Sequence, residues 1–476
     1  MIPTLKPYPA YKDSGVEWLG QVPAHWEIVS GHGCFVERKQ PSIGLMETTV
    51  LSLSYGRIVV KPVEKLRGLV PASFETYQIV DPGDIVCRPT DLQNDQNSLR
   101  FGLVRNRGII TSAYMCLRTT GRLNSIFGHL LLHAYDVKKI FYGLGSGLRQ
   151  NLDWRDFKRL PCMVPPLAEQ TAIVRFLDYM ERGMGRVMRA KQKRIKLLEE
   201  YKQALIHQAV TGKIDVRTGQ PYPAYKPSGV EWLGQVPEHW EVRRNKFLLR
   251  EVNERSEDGS EELLTVSQYT GVTRRQERLT GEGDLLTNAA SLVGYKRVMP
   301  GDLVINIMLA WNGSLGTSSI HGIVSPSYSV FRTKLHGVQP RFLHYLFRTP
   351  LFTGVFKTVS TGVVDSRLRL YPDVFLRLPS LLPPLPEQSA IVEYLDAQTA
   401  KIDAAIAGAR REIELLGEYR ERLIADVVTG KVDVREVAER LPEEPPEEEA
   451  AEWLEEEATT EDAEDEGQSE ESDAEA

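Results

Sequence analysis

Cysteine is scarce in this 476-residue sequence, and long hydrophobic runs are missing. The four cysteines, Cys34, Cys87, Cys116 and Cys162, are widely spaced and include no Cys-x-x-Cys pair, which argues against a disulfide framework or a zinc site. No apolar run approaches the ~20 residues of a membrane-spanning helix, and the first residues lack the apolar core of a signal peptide. We therefore expect a soluble, cytoplasmic protein that does not associate with membranes.

The common catalytic motifs are also missing. The chain has no Asn-Pro-Pro-Tyr or Asp-Pro-Pro-Tyr motif of adenine-N6 methyltransferases, no His-Glu-x-x-His motif, and no nuclease pattern of Pro-Asp followed by carboxylate-x-Lys. The glycine-rich stretch 142–147 is not followed by the strand-turn-helix context of a dinucleotide site. Asp84 and Asp302 stand in Pro-Gly-Asp sequences, where a turn explains them without a general-base role. We expect no catalytic residue, cofactor or metal in this chain.

Acidic residues are unevenly distributed, so the formal net charge of −7 is misleading. Residues 436–476 carry 20 Asp and Glu against one Arg, whereas residues 1–435 carry 57 Lys and Arg against 45 Asp and Glu. A basic body favours a polyanionic partner. The acidic tail is too polar to form a core, so we expect residues 436–476 to be disordered.

Two long segments, 165–217 and 383–435, have the pattern of amphipathic helices. Each begins with Pro-Pro-Leu and an acidic first turn and runs to Gly212 or Gly430. The Thr-Gly-Lys sequences at these glycines end helices and lack the upstream glycine of a phosphate loop, so we interpret both glycines as left-handed C-caps. About 44 helical residues span roughly 66 Å.

Each long helix has one apolar stripe, because its apolar residues recur at spacings of mostly three, four or seven. A stripe this long must be buried on an equally long surface, and the repeated helix is the obvious partner. We assign the packing between the helices to twelve stripe residues: Ile173, Leu177, Met180, Met184, Leu198, Leu205, Ile391, Leu395, Ile402, Ile413, Leu416 and Leu423.

The chain repeats itself in a circular order. Residues 8–27 return almost unchanged as residues 222–241, at an offset of 214. The second copy follows the first long helix, whereas the first copy stands at the N-terminus and none follows the second long helix. This order suggests that the two halves close around a pseudo-two-fold axis, with antiparallel long helices. We interpret the aromatic residues of these segments as packing anchors and the histidines as structural: Trp18, Trp26, Trp232, Trp240, His25 and His239.

Between these segments lie two stretches, 29–164 and 243–382, that match only in patches. Short β-branched and aromatic runs bounded by turn residues predict strands, and residues 123–142 and 340–359 predict helices. Each stretch is therefore expected to form an α+β globule of about 150 residues, a common domain size.

Arginine and amide side chains remain as candidates for nucleic-acid contacts, since phosphate contacts position a protein and base-edge contacts specify a sequence. Basic residues kept in both globules are candidates for scaffold or phosphate roles: Arg118 with Arg332 and Arg149 with Arg367. Residues that differ between the globules, or that stand in unmatched loops, are candidates for base reading: Arg88 against Asn306, and Asn94, Gln96, Asn97, Arg100, Arg274, Arg275, Gln276 and Asn312.

The chain resembles the specificity subunits of type I restriction-modification systems. The likeness is carried by residues 14–26, by residues 147–152 leading to 165–170, and by residues 211–213, nearly all of which recur in the second half. It covers the whole chain except the acidic tail, which the family pattern does not require.

This resemblance implies a division of labour. The globules would be target recognition domains, each of which reads one half of a bipartite site in double-stranded DNA. The long helices would set the distance between them and dock two modification subunits, which bind S-adenosylmethionine and methylate adenine. Restriction subunits, which use ATP and Mg, would join the fuller assembly. This chain would itself be a non-catalytic subunit of the complex.

The expected fold class is α+β, with two α/β target recognition domains separated by two long helices that form an antiparallel coiled coil within a pseudo-two-fold repeat. The expected boundaries are 1–164 for the first domain, 165–217 for the central long helix, 218–382 for the second domain, 383–435 for the distal long helix and 436–476 for the tail. Two alternatives stay open. The chain could be a fused DNA methyltransferase-nuclease, or a coiled-coil scaffold that binds nucleic acid without sequence preference.

Overall fold

The computed structural model describes residues 5–43, 47–61, 76–90, 92, 99–143, 151–275, 291–334, 336–362 and 367–442. These residues form two compact units. Unit 1 contains the described residues of 1–191 and 411–442, and unit 2 contains those of 192–410. Within the described chain, no helix combines the length and the apolar character needed to cross a bilayer.

The strands of unit 1 are short and antiparallel. They are β1 (Tyr11–Asp13), β2 (Gln21–Pro23), β3 (Glu27–Ser30), β4 (Phe35–Arg38), β5 (Leu51–Ser54), β6 (Arg57–Val60), β7 (Tyr77–Val80), β8 (Ile85–Cys87), β9 (Phe101–Leu103), β10 (Gly108–Thr111), β11 (Met115–Thr119) and β12 (Pro161–Val164). The largest sheet has the order β4-β11-β8-β9, and smaller sheets pair β1 with β2, β3 with β12, β5 with β6 and β7 with β10.

The strands of unit 2 repeat this topology. They are β13 (Tyr225–Pro227), β14 (Gln235–Pro237), β15 (Glu241–Arg244), β16 (Leu249–Val252), β17 (Leu264–Ser267), β18 (Gly271–Arg274), β19 (Lys296–Val298), β20 (Leu303–Asn306), β21 (Leu315–Thr317), β22 (Gly322–Val324), β23 (Tyr328–Thr333) and β24 (Pro379–Leu382). The four-stranded sheet has the equivalent order β16-β23-β20-β21. Leu117 faces Ile85 in one sheet, and Phe331 faces Leu303 in the other.

The described helices differ widely in length. They are α1 (Gly31–Cys34), α2 (Ser125–Val137), α3 (Trp154–Phe157), α4 (Leu167–Val210), α5 (Asn245–Leu248), α6 (Pro340–Phe347), α7 (Pro350–Val359), α8 (Pro372–Arg377), α9 (Leu385–Val428) and α10 (Arg435–Glu439). Short 3-10 turns cover Ile140–Gly143, Glu231–Leu233 and Ala310–Asn312. The two long helices α4 and α9 each contain 44 residues.

The helix that covers the central sheet is continuous in unit 1 and divided in unit 2. In unit 1, Asn124 caps α2 by accepting hydrogen bonds from the backbone N–H groups of Ile126 and Phe127. In unit 2, the segment 340–359, expected to be one helix, is two helices, because Pro350 has no N–H to continue the ladder and starts α7 instead. Helices α2 and α7 both bury aromatic side chains, and Phe127 of α2 and Phe352 of α7 are fully inaccessible to solvent.

The first turn of α4 holds the N-terminal segment through Glu169, which is buried. Its carboxylate accepts hydrogen bonds from the Tyr8 hydroxyl at 2.7 Å and from Trp26 Nε1 at 2.9 Å, and it lies 2.7 Å from His25 Nε2. Burial, together with the hydrogen bond to Glu169, raises the pKa of the Tyr8 hydroxyl. Trp26 is fully buried, so its role as a packing anchor is confirmed.

The first turn of α9 repeats this arrangement in unit 2. Glu387 accepts from the Tyr222 hydroxyl and from Trp240 Nε1 at 2.7 Å, and it lies 2.8 Å from His239 Nε2. Trp240 is buried. The outer tryptophans of the two segments anchor differently, because each makes an edge-to-face contact while remaining partly accessible: Trp18 with Tyr135 and Trp232 with Phe352.

The next residue of each long helix, Gln170 or Gln388, fixes the helix to its globule. The Gln170 side chain donates to the carbonyls of Arg122 and Pro165 at 2.9 and 2.8 Å and accepts from the Asn124 N–H at 2.8 Å. Gln388 makes the same three hydrogen bonds, to Gly337, Pro383 and Gln339. The Glu-Gln pair therefore joins three parts of each unit at one point.

Where the long helices end, the N-terminal segment and its internal copy make equivalent backbone contacts, as the circular order of the repeat suggests. In unit 2, the Asp215 N–H donates to the Gln220 carbonyl at 2.8 Å, five residues along the chain. In unit 1, the equivalent Asp433 N–H donates at 2.7 Å to the carbonyl of Lys6, which comes from the N-terminus. The N-terminal segment therefore occupies the place that the internal copy reaches through a covalent linker.

Both glycines at the ends of the long helices have left-handed backbones, as predicted, with φ of +72° at Gly212 and +74° at Gly430. A side chain at either position would also collide with the repeated segment, because an added Cβ would lie 2.5 Å from Cδ of Pro237 or Pro23. Glycine is therefore required by conformation and by packing.

The acidic tail does not begin as disordered chain at residue 436. Residues Arg435–Glu439 form α10, with Ala438 buried, and the guanidinium of Arg175 donates to the carbonyl of Leu441 at 2.8 Å. Local apolar contacts thus order the residues up to 442, a correction to the predicted boundary. Residues 443–476 lie outside the described part of the chain.

Candidate nucleic-acid interface

The Pro-Gly-Asp turns of the two units each bury an aspartate that binds an arginine. Asp84 accepts from the Asp81 N–H at 2.9 Å and from Arg118 Nε at 2.7 Å, and Arg38 also donates to it. Asp302 accepts in the same way from the Met299 N–H at 2.9 Å and from Arg332 Nε at 2.8 Å. The turn role predicted for both aspartates is confirmed.

These turns tie the ends of the central strands together. Arg118 lies on β11 and Arg332 on β23, so each ion pair joins a strand to the turn before its neighbour. The hydrogen bond to the buried aspartate raises the pKa of Arg118 and of Arg332. Among the two roles considered for this matched pair, these contacts favour the scaffold role over the phosphate role.

Arg100 is a structural residue, which corrects its prediction as a base contact. It is fully buried, and its guanidinium donates to the carbonyls of Thr90 at 2.7 Å and Arg88 at 3.3 Å. A guanidinium held in this way cannot reach DNA without leaving buried carbonyls unsatisfied. Asn306 is also buried, and its side chain accepts from the Met308 N–H at 3.1 Å, so it too serves a turn.

The structure brings several candidates to the same end of the central sheet in each unit. The Arg88 N–H donates to the Arg100 carbonyl at 2.9 Å, where β8 and β9 separate. At the equivalent place in unit 2, the Asn306 N–H donates to the Ser314 carbonyl, and Asn312 accepts from the Ser314 hydroxyl at 2.8 Å. Of these side chains, Arg88 and Asn312 are half-buried.

The remaining candidates lie elsewhere. Arg274 and Arg275 stand at the end of the β17-β18 hairpin, where Arg274 pairs with Glu262 at 3.0 Å. Arg367 is exposed. The other predicted contacts lie outside the described residues: Asn94, Gln96, Asn97, Arg149 and Gln276.

Sequence reasoning missed Arg348, which organises the tip of the β17-β18 hairpin. Its guanidinium donates to the carbonyls of Ser267 at 3.1 Å and Tyr269 at 2.9 Å, and to that of Leu315 at 2.8 Å. Burial lowers the pKa of Arg348 to about 10. Its partners are backbone atoms more than 30 residues away in sequence, so no side-chain pattern could have revealed it.

His344 lies beneath the same hairpin, and its Nδ1 atom accepts a hydrogen bond from the Thr317 N–H at 3.3 Å. This bond requires Nδ1 to be unprotonated. Burial, with the nearby charges of Arg348 and Arg341, lowers the pKa of His344 to about 3. The neutral imidazole is therefore part of the native packing of unit 2.

We expect acid to destabilise unit 2 through His344. The unfolded imidazole takes up a proton near pH 6.5, whereas the folded one does so only near pH 3. Stability is therefore complete above pH 6.5 and lost as the pH falls towards 3, by about 2 kcal/mol at pH 5. Chemical denaturation at pH 7.5 and pH 5 should show this loss in the native chain and a smaller one in His344→Asn. Exposed His336→Asn is the control, and equal losses in native and His344→Asn proteins would contradict the assignment.

The described residues contain no group of three His, Cys, Asp or Glu side chains placed to hold a metal ion. Two surface depressions on the described part of the chain are open to solvent. One lies beside the β17-β18 hairpin and is lined by Val272, Thr317 and His344, and the other is lined by Val242, Arg243, Arg244 and Phe247. The candidate sites are therefore exposed surfaces on the globules.

Comparison with known proteins supports the resemblance seen in the sequence. A curated protein of Methanocaldococcus jannaschii, inferred to be the specificity subunit of the type I restriction enzyme MjaX, is 21% identical over 448 residues, which cover 88% of this chain and 96% of that protein. No family model matches the chain. The resemblance to type I specificity subunits is confirmed at this level.

Two solved structures are also similar. A chain from the structural work on complex assembly and conformational transition of the type I R-M system superposes with a TM-score of 0.60 at 16% identity, over 86% of this chain and 98% of that chain. The HsdS subunit of Thermoanaerobacter tengcongensis matches over the same shares at 16% identity, with a TM-score of 0.46. At 16% identity, the first of these two structures supports a similar fold and nothing more.

Proposed function

We propose that this chain is the specificity subunit of a type I restriction-modification complex, which recognises a bipartite DNA site and catalyses no reaction itself. The observation that carries the proposal is the duplicated, circularly closed arrangement of globule and long helix. The Lys6–Asp433 and Gln220–Asp215 hydrogen bonds, which are equivalent in the two units, support that closure. Two equivalent globules on one chain suit a target made of two different half-sites. The relative that covers nearly the whole chain points the same way.

Each globule is a target recognition domain for one half-site. The candidates that reach the surface at the end of the central sheet and on the hairpin are Arg88, Arg274, Arg275 and Asn312. Arginine and asparagine are side chains that read guanine and adenine edges in the major groove. Arg118 and Arg332 keep the strands in place beneath them.

The two long helices form an antiparallel coiled coil that acts as a ruler. In unit 1, Glu181 pairs with Arg420 at 3.0 Å and Lys191 pairs with Glu412. In unit 2, Glu199 pairs with Arg410 at 2.9 Å and Lys202 pairs with Asp403 at 2.6 Å. In both sets the residue numbers fall on α9 as they rise on α4, which supports antiparallel pairing.

The predicted stripe residues support the same arrangement by their burial. Eight of the twelve are buried, namely Ile173, Leu177, Met184, Leu205, Ile391, Leu395, Ile402 and Leu423, and the other four, Met180, Leu198, Ile413 and Leu416, are half-buried. This pattern suits a two-helix seam that is open to solvent on both flanks.

The outward faces of the long helices dock two modification subunits. Tyr179, Val187, Leu197 and Tyr201 of α4 are exposed apolar side chains, which are typical of a protein-binding surface. S-adenosylmethionine is expected on the modification subunits, and ATP and Mg on the restriction subunits that complete the complex.

Long-read modification mapping tests this function. DNA from cells that carry this chain and its modification subunit should contain methylated adenine in one bipartite motif, with two fixed half-sites and a spacer of constant length. Cells that carry the modification subunit without this chain are the control. Methylation by the purified chain alone would favour the fused enzyme, and equal binding of random DNA at a stated salt concentration would favour the nonspecific scaffold.

Single substitutions should separate base reading from general binding. We expect Arg88→Ala and Arg275→Ala each to relax selectivity at one half-site, because each removes a candidate base contact worth about 1–3 kcal/mol. Arg149→Ala should weaken binding to all sequences alike, and the exposed Arg367→Ala is its counterpart in unit 2. Competition binding with each half-site scrambled measures these effects. If all the variants behave alike, this assignment of roles is wrong.

A further inference from the structure

Both globules carry an exposed tyrosine at the tip of an equivalent β-hairpin. Tyr55 lies between β5 and β6, and Tyr269 lies between β17 and β18, at the repeat offset of 214. Their side chains are 75% and 72% exposed. Large aromatic side chains normally contribute to stability by burial, so two exposed copies at matched positions call for a partner.

The two hairpins rest on their globules in the same way. In unit 1, a Cβ added to Gly102 would lie 2.7 Å from Leu53 and 2.9 Å from Ile58, so the hairpin packs directly on β9. In unit 2, a Cβ added to the equivalent Gly316 of β21 would lie 3.1 Å from Cα of Gly271. The close approach fixes the position of each hairpin relative to its sheet.

The turn of unit 1 presents Tyr55 through a constrained backbone. Ser54 pairs with Arg57, which leaves a two-residue turn of Tyr55 and Gly56. Their φ values are +44° and +81°. Such a turn suits a tight hairpin, but a tyrosine at positive φ is uncommon because its side chain crowds the backbone. The strained backbone conformation therefore occurs at Tyr55, whose side chain is exposed to solvent.

The turn of unit 2 also presents an exposed tyrosine, but it does so through a three-residue loop. Ser267 pairs with Gly271, so the loop contains Gln268, Tyr269 and Thr270, all exposed. Arg348 holds the loop from below by donating to the Tyr269 carbonyl at 2.9 Å. Arg348 therefore holds the backbone of the loop in place, although the side chains of the loop are exposed and form no hydrophobic core.

The hairpins are positively charged. Residues 51–61 contain Arg57 and Lys61, residues 264–275 contain Arg274 and Arg275, and neither range contains Asp or Glu. Arg274 pairs with Glu262 just before its hairpin, at 3.0 Å. A basic, two-stranded ribbon with an aromatic tip is complementary in charge and width to the major groove of DNA, which admits a β-ribbon.

We propose that each hairpin enters the major groove of its own half-site and that Tyr55 and Tyr269 place their rings against base edges there. This proposal rests on the DNA-recognition function above. Behind Tyr55, Arg57 and Lys61 would lie along the phosphates, and behind Tyr269, Arg274 and Arg275 keep the base-reading role proposed above. Each ring makes the apolar contact that a thymine methyl group can provide. Tyr55 and Tyr269 are therefore specificity-determining residues, one for each half-site.

The test uses the complete complex of this chain with its modification subunits, and a duplex that contains the mapped bipartite site. Dissociation constants are measured at one fixed salt concentration for that duplex and for duplexes with either half-site, or both, scrambled. The variants are Tyr55→Ala, Tyr269→Ala and the two corresponding phenylalanine substitutions. Each alanine variant is the matched control for the other, since they alter different half-sites.

Each alanine variant should bind the full site about tenfold more weakly, as expected for loss of one base contact. It should also become less sensitive to scrambling of its own half-site while staying sensitive to the other. The phenylalanine variants should keep most of the native affinity. Unchanged affinity, or an equal loss on scrambled DNA, would overturn the proposal. If the native complex shows no preference for a bipartite site, the proposed function itself has failed.

Discussion

Replacing Glu169 by alanine is expected to lower the free energy of unfolding of unit 1 by about 3 kcal/mol. The substitution leaves the Tyr8 hydroxyl and Trp26 Nε1 buried without an acceptor and removes the partner of His25. A buried donor that loses its acceptor costs about 1–3 kcal/mol. Chemical denaturation measures the total loss. Hydrogen exchange should show the largest change in residues 8–27, which the carboxylate holds in place.

The repeat supplies a matched control for this experiment. Glu387→Ala should produce an equal loss in unit 2, with exchange rising in residues 222–241 and not in residues 8–27, because its donors are Tyr222 and Trp240. Glu169→Gln should be milder, since its amide oxygen can still accept. If Glu169→Ala leaves both the stability and the exchange of residues 8–27 unchanged, the carboxylate does not anchor the segment.

Lengthening both long helices by one heptad is expected to lengthen the spacer of the recognised site by about three base pairs. Seven residues add roughly 10 Å of helix, and successive base pairs are about 3.4 Å apart. A heptad keeps the apolar stripes nearly in register, with a drift of about 20°. Insertions after Lys191 and after Arg410 fall between the ion pairs of the proposed coiled coil. Modification mapping in cells that carry the variant reads the spacer directly.

Two controls isolate the ruler effect. A heptad inserted into α4 alone should abolish modification, because the stripes then no longer face each other along their length. Alanine substitutions at exposed helix positions near the insertion points, without a change of length, should leave the spacer unchanged. A double insertion that methylates the original spacer would show that the helices do not set the distance between half-sites.

The helices and the repeat were predictable because their signals are local or internal to the chain. Pro-Pro-Leu starts, apolar spacing and the glycine stops placed α4 and α9 correctly. Comparison of the chain with itself predicted the circular closure that Lys6 and Asp433 complete. The predicted helix at 340–359 was wrong only at Pro350. There the proline interrupts the backbone hydrogen bonds of the helix in spite of the helical spacing of the apolar residues.

The candidate site was harder to predict, because burial and long-range contacts decide which polar side chains are available. Arg100 looked like a base contact in an unmatched loop but is buried against backbone carbonyls. Tyr55 and Tyr269 were not predicted as contact residues, because an isolated aromatic residue in a sequence usually indicates a buried core position. The matched offset of these two tyrosines was a signal that could have been used.

The sequence by itself determined the periodic and repeated features: two long helices, two related globules and a circular order, since hydrophobic spacing, capping residues and self-similarity are written along the chain. Only the tertiary structure decided what the polar residues do. Glu169 became an anchor, Arg100 and Arg348 became clamps on backbone carbonyls, and Tyr55 and Tyr269 became exposed tips. The physical reason is that a polar side chain acts through partners distant in sequence, and its hydrogen bonds and its access to solvent exist only once the chain has folded.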